Sequence, residues 1–105
     1  MRILAQYTVY AGKVWKLHVF EVENGRIVHY PVVEELAAAR YINGIAIICH
    51  QDSGNLKKLQ SMPYGSEDLN AYAGKLAELL ANCSCDSPVE IYAMEYPLFR
   101  AVKLV

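Results

Sequence analysis

The stretch Lys16-Leu17-His18-Val19-Phe20-Glu21-Val22-Glu23-Asn24-Gly25-Arg26-Ile27-Val28-His29-Tyr30 decides the fold. Asn24-Gly25 lies between two runs of alternating apolar and polar residues. A two-residue type I′ turn needs positive φ at both central positions, and Asn and Gly accept it with least strain. The spacing therefore predicts a β-hairpin of strands 14–22 and 26–30. The turn also sets the register: Glu23 pairs with Arg26, Glu21 with Val28, Phe20 with His29, and His18 falls near Pro31. His18 and His29 then share one face.

Upstream, residues 3–11 alternate as a first strand, with Ile3, Ala5, Tyr7, Val9 and Ala11 expected on one face. The turn at Ala11-Gly12 joins it to the hairpin, which gives a three-stranded meander. In the second strand Trp15, Leu17 and Val19 are read as one face and Val14, Lys16, His18, Phe20 and Val22 as the other. Both faces carry large apolar groups, as in an inner strand. Pro31 ends the third strand or sits at an edge.

Downstream, residues 32–40 read either as one or two helical turns or as a crossing loop, with Glu34-Glu35 as an acidic start. Residues 41–50 contain a fourth strand, apolar on both faces from Ile45 to Cys49 and hence central. Asp52-Ser53-Gly54-Asn55 is a turn cluster. Leu56 to Gln60 is read as a returning edge strand guarded by Lys57 and Lys58. Ser66 is a plausible N-cap for a helix over 66–82, with Glu67 and Asp68 in its first turn. Leu69, Tyr72, Ala73, Leu76, Leu79, Leu80 and Cys83 form its apolar stripe. Gly74 inside the helix costs about 1 kcal/mol relative to alanine, which close packing against the sheet would explain. Residues 89–96 and Phe99–Leu104 read as two last strands, with Pro97 as a bulge or a corner between them.

The expected fold is α+β: a mostly antiparallel, curved sheet of about six or seven strands, with one main amphipathic helix at about 66–82 packed on one face. The N-terminal meander forms one end of the sheet, and residues 1–105 form a single domain. A strongly curved, partly closed sheet is the alternative.

Composition limits function. The 105 residues are 54% apolar and only 20% charged, more than one small core hides easily. Net charge is −1, from 10 basic and 11 acidic residues, and the longest basic run is Lys57-Lys58. No basic stripe suits phosphates, so nucleic acid is an unfavoured partner. No apolar run is long enough to span a membrane, and no leader pattern is seen, so the expected location is the cytoplasm. Three cysteines, Cys49, Cys83 and Cys85, are read as reduced.

Cys83-x-Cys85 lacks a second ligand pair at a definable spacing, so no metal and no cofactor is expected. His50, Asp52 and Ser53 are too close in one turn for a nucleophile, base and orienting acid. Glu34, Glu35, Glu90 and Glu95 are carboxylates whose separation the sequence does not give. No phosphate-binding glycine motif is present. The residues expected to line a ligand site are His18, His29, Tyr30 and Tyr10, on or beside the hairpin. Eight tyrosines supply apolar area with polar rims, which suits interfaces and pockets.

The reading is thus a non-enzymatic interaction or accessory protein that self-associates, most simply as a homodimer, or binds a protein partner. The alternative is a small enzyme or a small-molecule or peptide sensor, with an aromatic and histidine-lined pocket between sheet and helix.

Overall fold

The computed structural model describes residues 1–32, 39–65, 67–81 and 88–104. The readings of residues 33–38, including Glu34-Glu35, of Ser66 as a cap and of Cys83-x-Cys85 lie outside them.

Seven strands form one sheet: β1 (Arg2–Tyr10), β2 (Lys13–Lys16), β3 (His18–Glu23), β4 (Arg26–Pro31), β5 (Arg40–His50), β6 (Val89–Glu95) and β7 (Ala101–Lys103). Their order is β4-β3-β1-β5-β6-β7, with β2 also paired to β1. Among the described residues there are also two helices, α1 (Asn55–Gln60) and α2 (Leu69–Leu79).

The hairpin register is as the turn dictates. Glu23 faces Arg26, Glu21 faces Val28, Phe20 faces His29 and His18 faces Pro31. Asn24 and Gly25 both have positive φ, 50° and 80°. The meander is present, but its second strand is broken at Leu17 (φ 50°) into β2 and β3. The sheet is mixed: β1 and β5 run parallel, and the other pairings are antiparallel. The parallel pair makes β5 central, between β1 and β6.

The two faces carry different cores. Val9, Ile45, Ile47, Cys49, Tyr92 and Met94 pack with Tyr72, Ala73, Leu76 and Leu80 of the α2 region. Ile3, Ala5, Phe20, Ile42, Ala46, Ile48 and Ile91 form the second cluster, on the opposite face. Strict alternation would keep Ile3, Ala5, Tyr7 and Val9 together, as the sequence suggested. Instead Ile3 and Ala5 join one cluster while Tyr7 and Val9 join the other. The exchange occurs at Gln6. β2/β3 exchanges at the same level, at Leu17, where Trp15 and Phe20 end on one face. β5 keeps its alternation, with Ile42, Ala46 and Ile48 in one cluster and Ile45, Ile47 and Cys49 in the other, and carries an extra residue at Asn43-Gly44. A bulge there shifts the β1–β5 register between Ala5 and Tyr7. One line of backbone irregularity thus crosses three adjacent strands.

Gly44 is what permits it. A Cβ at Gly44 would lie 2.1 Å from the Met94 carbonyl oxygen and 3.2 Å from the Glu95 Cα, both backbone atoms that cannot give way. Gly44 also has φ 156°.

Three local readings are corrected. Residues 56–60 are helical, because Asn55 and Leu59 are drawn into the core on one side of a short turn of helix. The main helix begins at Leu69, capped by Asp68, whose side chain accepts from the Ala71 N–H. Gly74 packs closely against nothing; a Cβ there would meet open space. Pro97 stands at a corner between β6 and β7, not within one bent strand.

Candidate functional site

The hairpin register brings the expected histidines together. His29 stacks on its cross-strand partner Phe20 at 5.0 Å between ring centroids. His18 lies diagonally, 5.7 Å from His29. Because Leu17 breaks the alternation, Trp15 turns onto this same face. It stands 4.5 Å from His29 and 5.1 Å from His18. Tyr10 closes the group at 5.9 Å from His29. The Trp15 indole donates to the Tyr10 carbonyl, which fixes its ring. Three of the four expected residues, Tyr10, His18 and His29, are therefore one cluster. Tyr30 is not in it. It pairs with Val19, one step out of phase with Phe20 and His29, so it points to the opposite face.

The cluster sits with Phe20, on the face away from α2. The pocket expected between sheet and helix is not where the histidines are. The group also leaves polar capacity unused: His29 Nδ1 is buried with no hydrogen-bond partner, and so is Thr8 Oγ1 on the same face. His18 Nδ1 lies 3.3 Å from the Lys16 carbonyl.

A second polar cluster lies on the helix side, and it is closed. Glu90 is buried opposite Cys49. One of its oxygens accepts from Asn55 (2.9 Å) and from the Tyr92 hydroxyl (2.8 Å); the other meets Lys103 Nζ at 2.9 Å. Asn55 also donates to the His50 carbonyl, and so ties α1 to β5 and β6. Lys103 first, then Asn55 and Tyr92, hold the Glu90 carboxyl down to about 2 against the cost of burial. Burial, with the Glu90 carboxylate beside it, pushes the Tyr92 phenol up.

The third feature follows the line of irregularity on the helix side. A hollow of about 380 Å³ lies between Lys16, Leu17 and Tyr41. A larger one of about 640 Å³ lies beside Tyr64, Tyr96 and Phe99. Gln6 and Leu69 line both, so the two are neighbours. A third, of about 450 Å³, shares Tyr64 and Phe99 and ends at Leu98 and Arg100. Tyr64 is held over Phe99 at 4.5 Å, and its hydroxyl donates to the Glu67 carbonyl. Sequence reasoning missed this groove. Its one signal was Asn43-Gly44 inside an otherwise continuous strand, where an isolated Gly marks a bulge or a close backbone approach.

Among the described residues, no group of three or more His, Cys, Asp or Glu is placed to hold a metal. No helix among them is long and apolar enough to cross a membrane. Comparison with models of protein families, with curated proteins and with solved structures finds no match to this chain.

Proposed function

We propose that this chain is a non-enzymatic interaction protein that self-associates as a homodimer through the edge of β4. The observation that carries the reading is the edge itself. β4 is a six-residue terminal strand of the sheet, and Val28 at its centre is 49% exposed. An open edge of this length is a template for pairing.

The register says which groups are offered. Glu23 and Arg26 flank the two-residue turn and exchange both bonds across it. Every second residue thereafter bonds inward, and the Val32 N–H to Leu17 carbonyl bond keeps that phase. Ile27 and His29 therefore aim their N–H and C=O groups outward. Two copies pairing antiparallel about Val28 place Ile27 of each opposite His29 of the other. That makes four main-chain hydrogen bonds, with the two Val28 side chains face to face. Pro31, which has no N–H, ends the pairing.

Light scattering after size exclusion tests this. Wild type is expected as a dimer at micromolar concentration. Val28→Lys sets two ammonium groups against each other at the closest point of the pair, and is expected to run as a monomer with an unchanged fold. A wild-type monomer, or an undisturbed Val28→Lys dimer, overturns the reading.

A sensor reading has one specific observation in its favour, the bare His29 Nδ1 beside Trp15, His18 and Tyr10. Trp15 is the sole tryptophan. A small molecule bound there would change its emission, and His29→Phe would abolish that change.

A further inference from the structure

We propose that the groove along the line of irregularity docks an extended peptide segment of a partner protein, apolar at its centre and acidic where it meets Lys16 and Arg100. This goes beyond self-association and rests only on the reading that the chain is an interaction protein.

The shape comes first. Three neighbouring hollows, parted by the shared side chains Gln6, Leu69, Tyr64 and Phe99, offer successive side-chain subsites, which suit a linear occupant better than a compact one. The hydrogen-bonding capacity comes second. Gln6 and Asn43 line the groove at its middle, and neither carboxamide has a partner among the described residues. A carboxamide carries one acceptor and two donors, which complements the N–H and C=O of a peptide unit. The walls come third. Phe99 is buried and packs on Tyr64 at 4.5 Å, so this wall is already in place and little ordering of it remains to be done on binding. Tyr96, 6.2 Å from Phe99, is largely exposed and open to contact.

Charge then selects the peptide. Lys16 lines one end of the groove and Arg100 the other, and neither forms an ion pair among the described residues. Acidic residues on the occupant would complement both. A single-stranded nucleic acid would also use rings and cations. It is disfavoured by the scarcity of cations: Lys16 and Arg100 are the two that line the three hollows among the described residues, too few to track a phosphate backbone.

The test is selection of random dodecapeptides displayed on phage against the full chain. Fluorescence polarisation of the selected, fluorescein-labelled peptides follows, on wild type and on four variants. The expected sequences are apolar at the centre and carry Asp or Glu toward the ends. Gln6→Ala and Asn43→Ala are each expected to weaken binding about three- to tenfold, and Lys16→Glu by a similar factor. Val28→Lys is expected to leave binding unchanged, so loss of the dimer and loss of the groove read out separately. Thermal melts confirm that each variant is folded. The proposal is overturned if no peptide is enriched, or if enriched peptides bind all three groove variants as tightly as wild type. It is also overturned if a labelled oligouridylate binds the groove with a strong salt dependence.

Discussion

The Glu90 cluster and the His29 cluster are built from similar material and end in opposite states. Each places polar groups among aromatic rings on a face of the same sheet. Around Glu90 both carboxylate oxygens are used, and Asn55, Tyr92 and Lys103 all donate to them. Around His29 a ring nitrogen and the nearby Thr8 hydroxyl are buried with nothing to bond. A satisfied buried network fixes a structure, whereas an unsatisfied one keeps binding capacity at a cost in stability. The first cluster is read as a staple for α1, and the second as a surface that still has something to bind.

The line through Leu17, Gln6 and Gly44 sorts residues onto these two faces, so breaking it is expected to have the largest effect. Gly44→Ala drives a Cβ into backbone that cannot move, and should cost about 3 kcal/mol or more by denaturant unfolding. Glu90→Leu comes next. It leaves Asn55 and Tyr92 without their acceptor, and about 2–3 kcal/mol is expected to be lost. The comparison is sharpest in the third prediction. The same kind of change, polar to apolar, is expected to stabilise at the open cluster. Thr8→Val and His29→Phe each remove a bare buried group, and should gain about 0.5–1 kcal/mol. A loss at either position of the size expected for Glu90→Leu would erase the distinction.

The pH dependence tests the same carboxylate independently of any truncation. The folded Glu90 carboxyl sits near 2, below its ordinary value of 4.5. Its contribution is therefore complete above about pH 4.5 and is lost as pH falls toward 2. Melting temperature should fall more steeply between pH 5 and 2 in wild type than in Glu90→Gln. Parallel curves would remove Glu90 from the account.

What was legible in the sequence was local. Asn24-Gly25 set a turn that only certain residues accept, and the turn set four cross-strand pairs and hence the meeting of His18 with His29. The run Ile45–Cys49 announced a central strand because neither face carries a polar side chain. What was not legible depended on partners distant in sequence. Leu17 takes a positive φ that nothing in its side chain encodes, and its effect is to bring Trp15 into the histidine cluster. Tyr30 adjoins His29 in sequence, but period-2 alternation points it to the other face. Residues 56–60 looked like a guarded edge strand. Asn55 reaching Glu90, thirty-five positions away, helps to hold them as a helix. The groove arises where β1 and β2/β3 lose phase beside the bulge in β5, and no single strand reveals that.

The most direct test of the central claim is amide hydrogen exchange at Ile27 and His29 as a function of protein concentration. Both N–H groups point away from β3 and face solvent in a monomer. Pairing of two β4 edges predicts that their protection rises with concentration in wild type and does not rise in Val28→Lys. Exchange at the same rate at every concentration would contradict the account, because it would leave the edge of β4 unpaired.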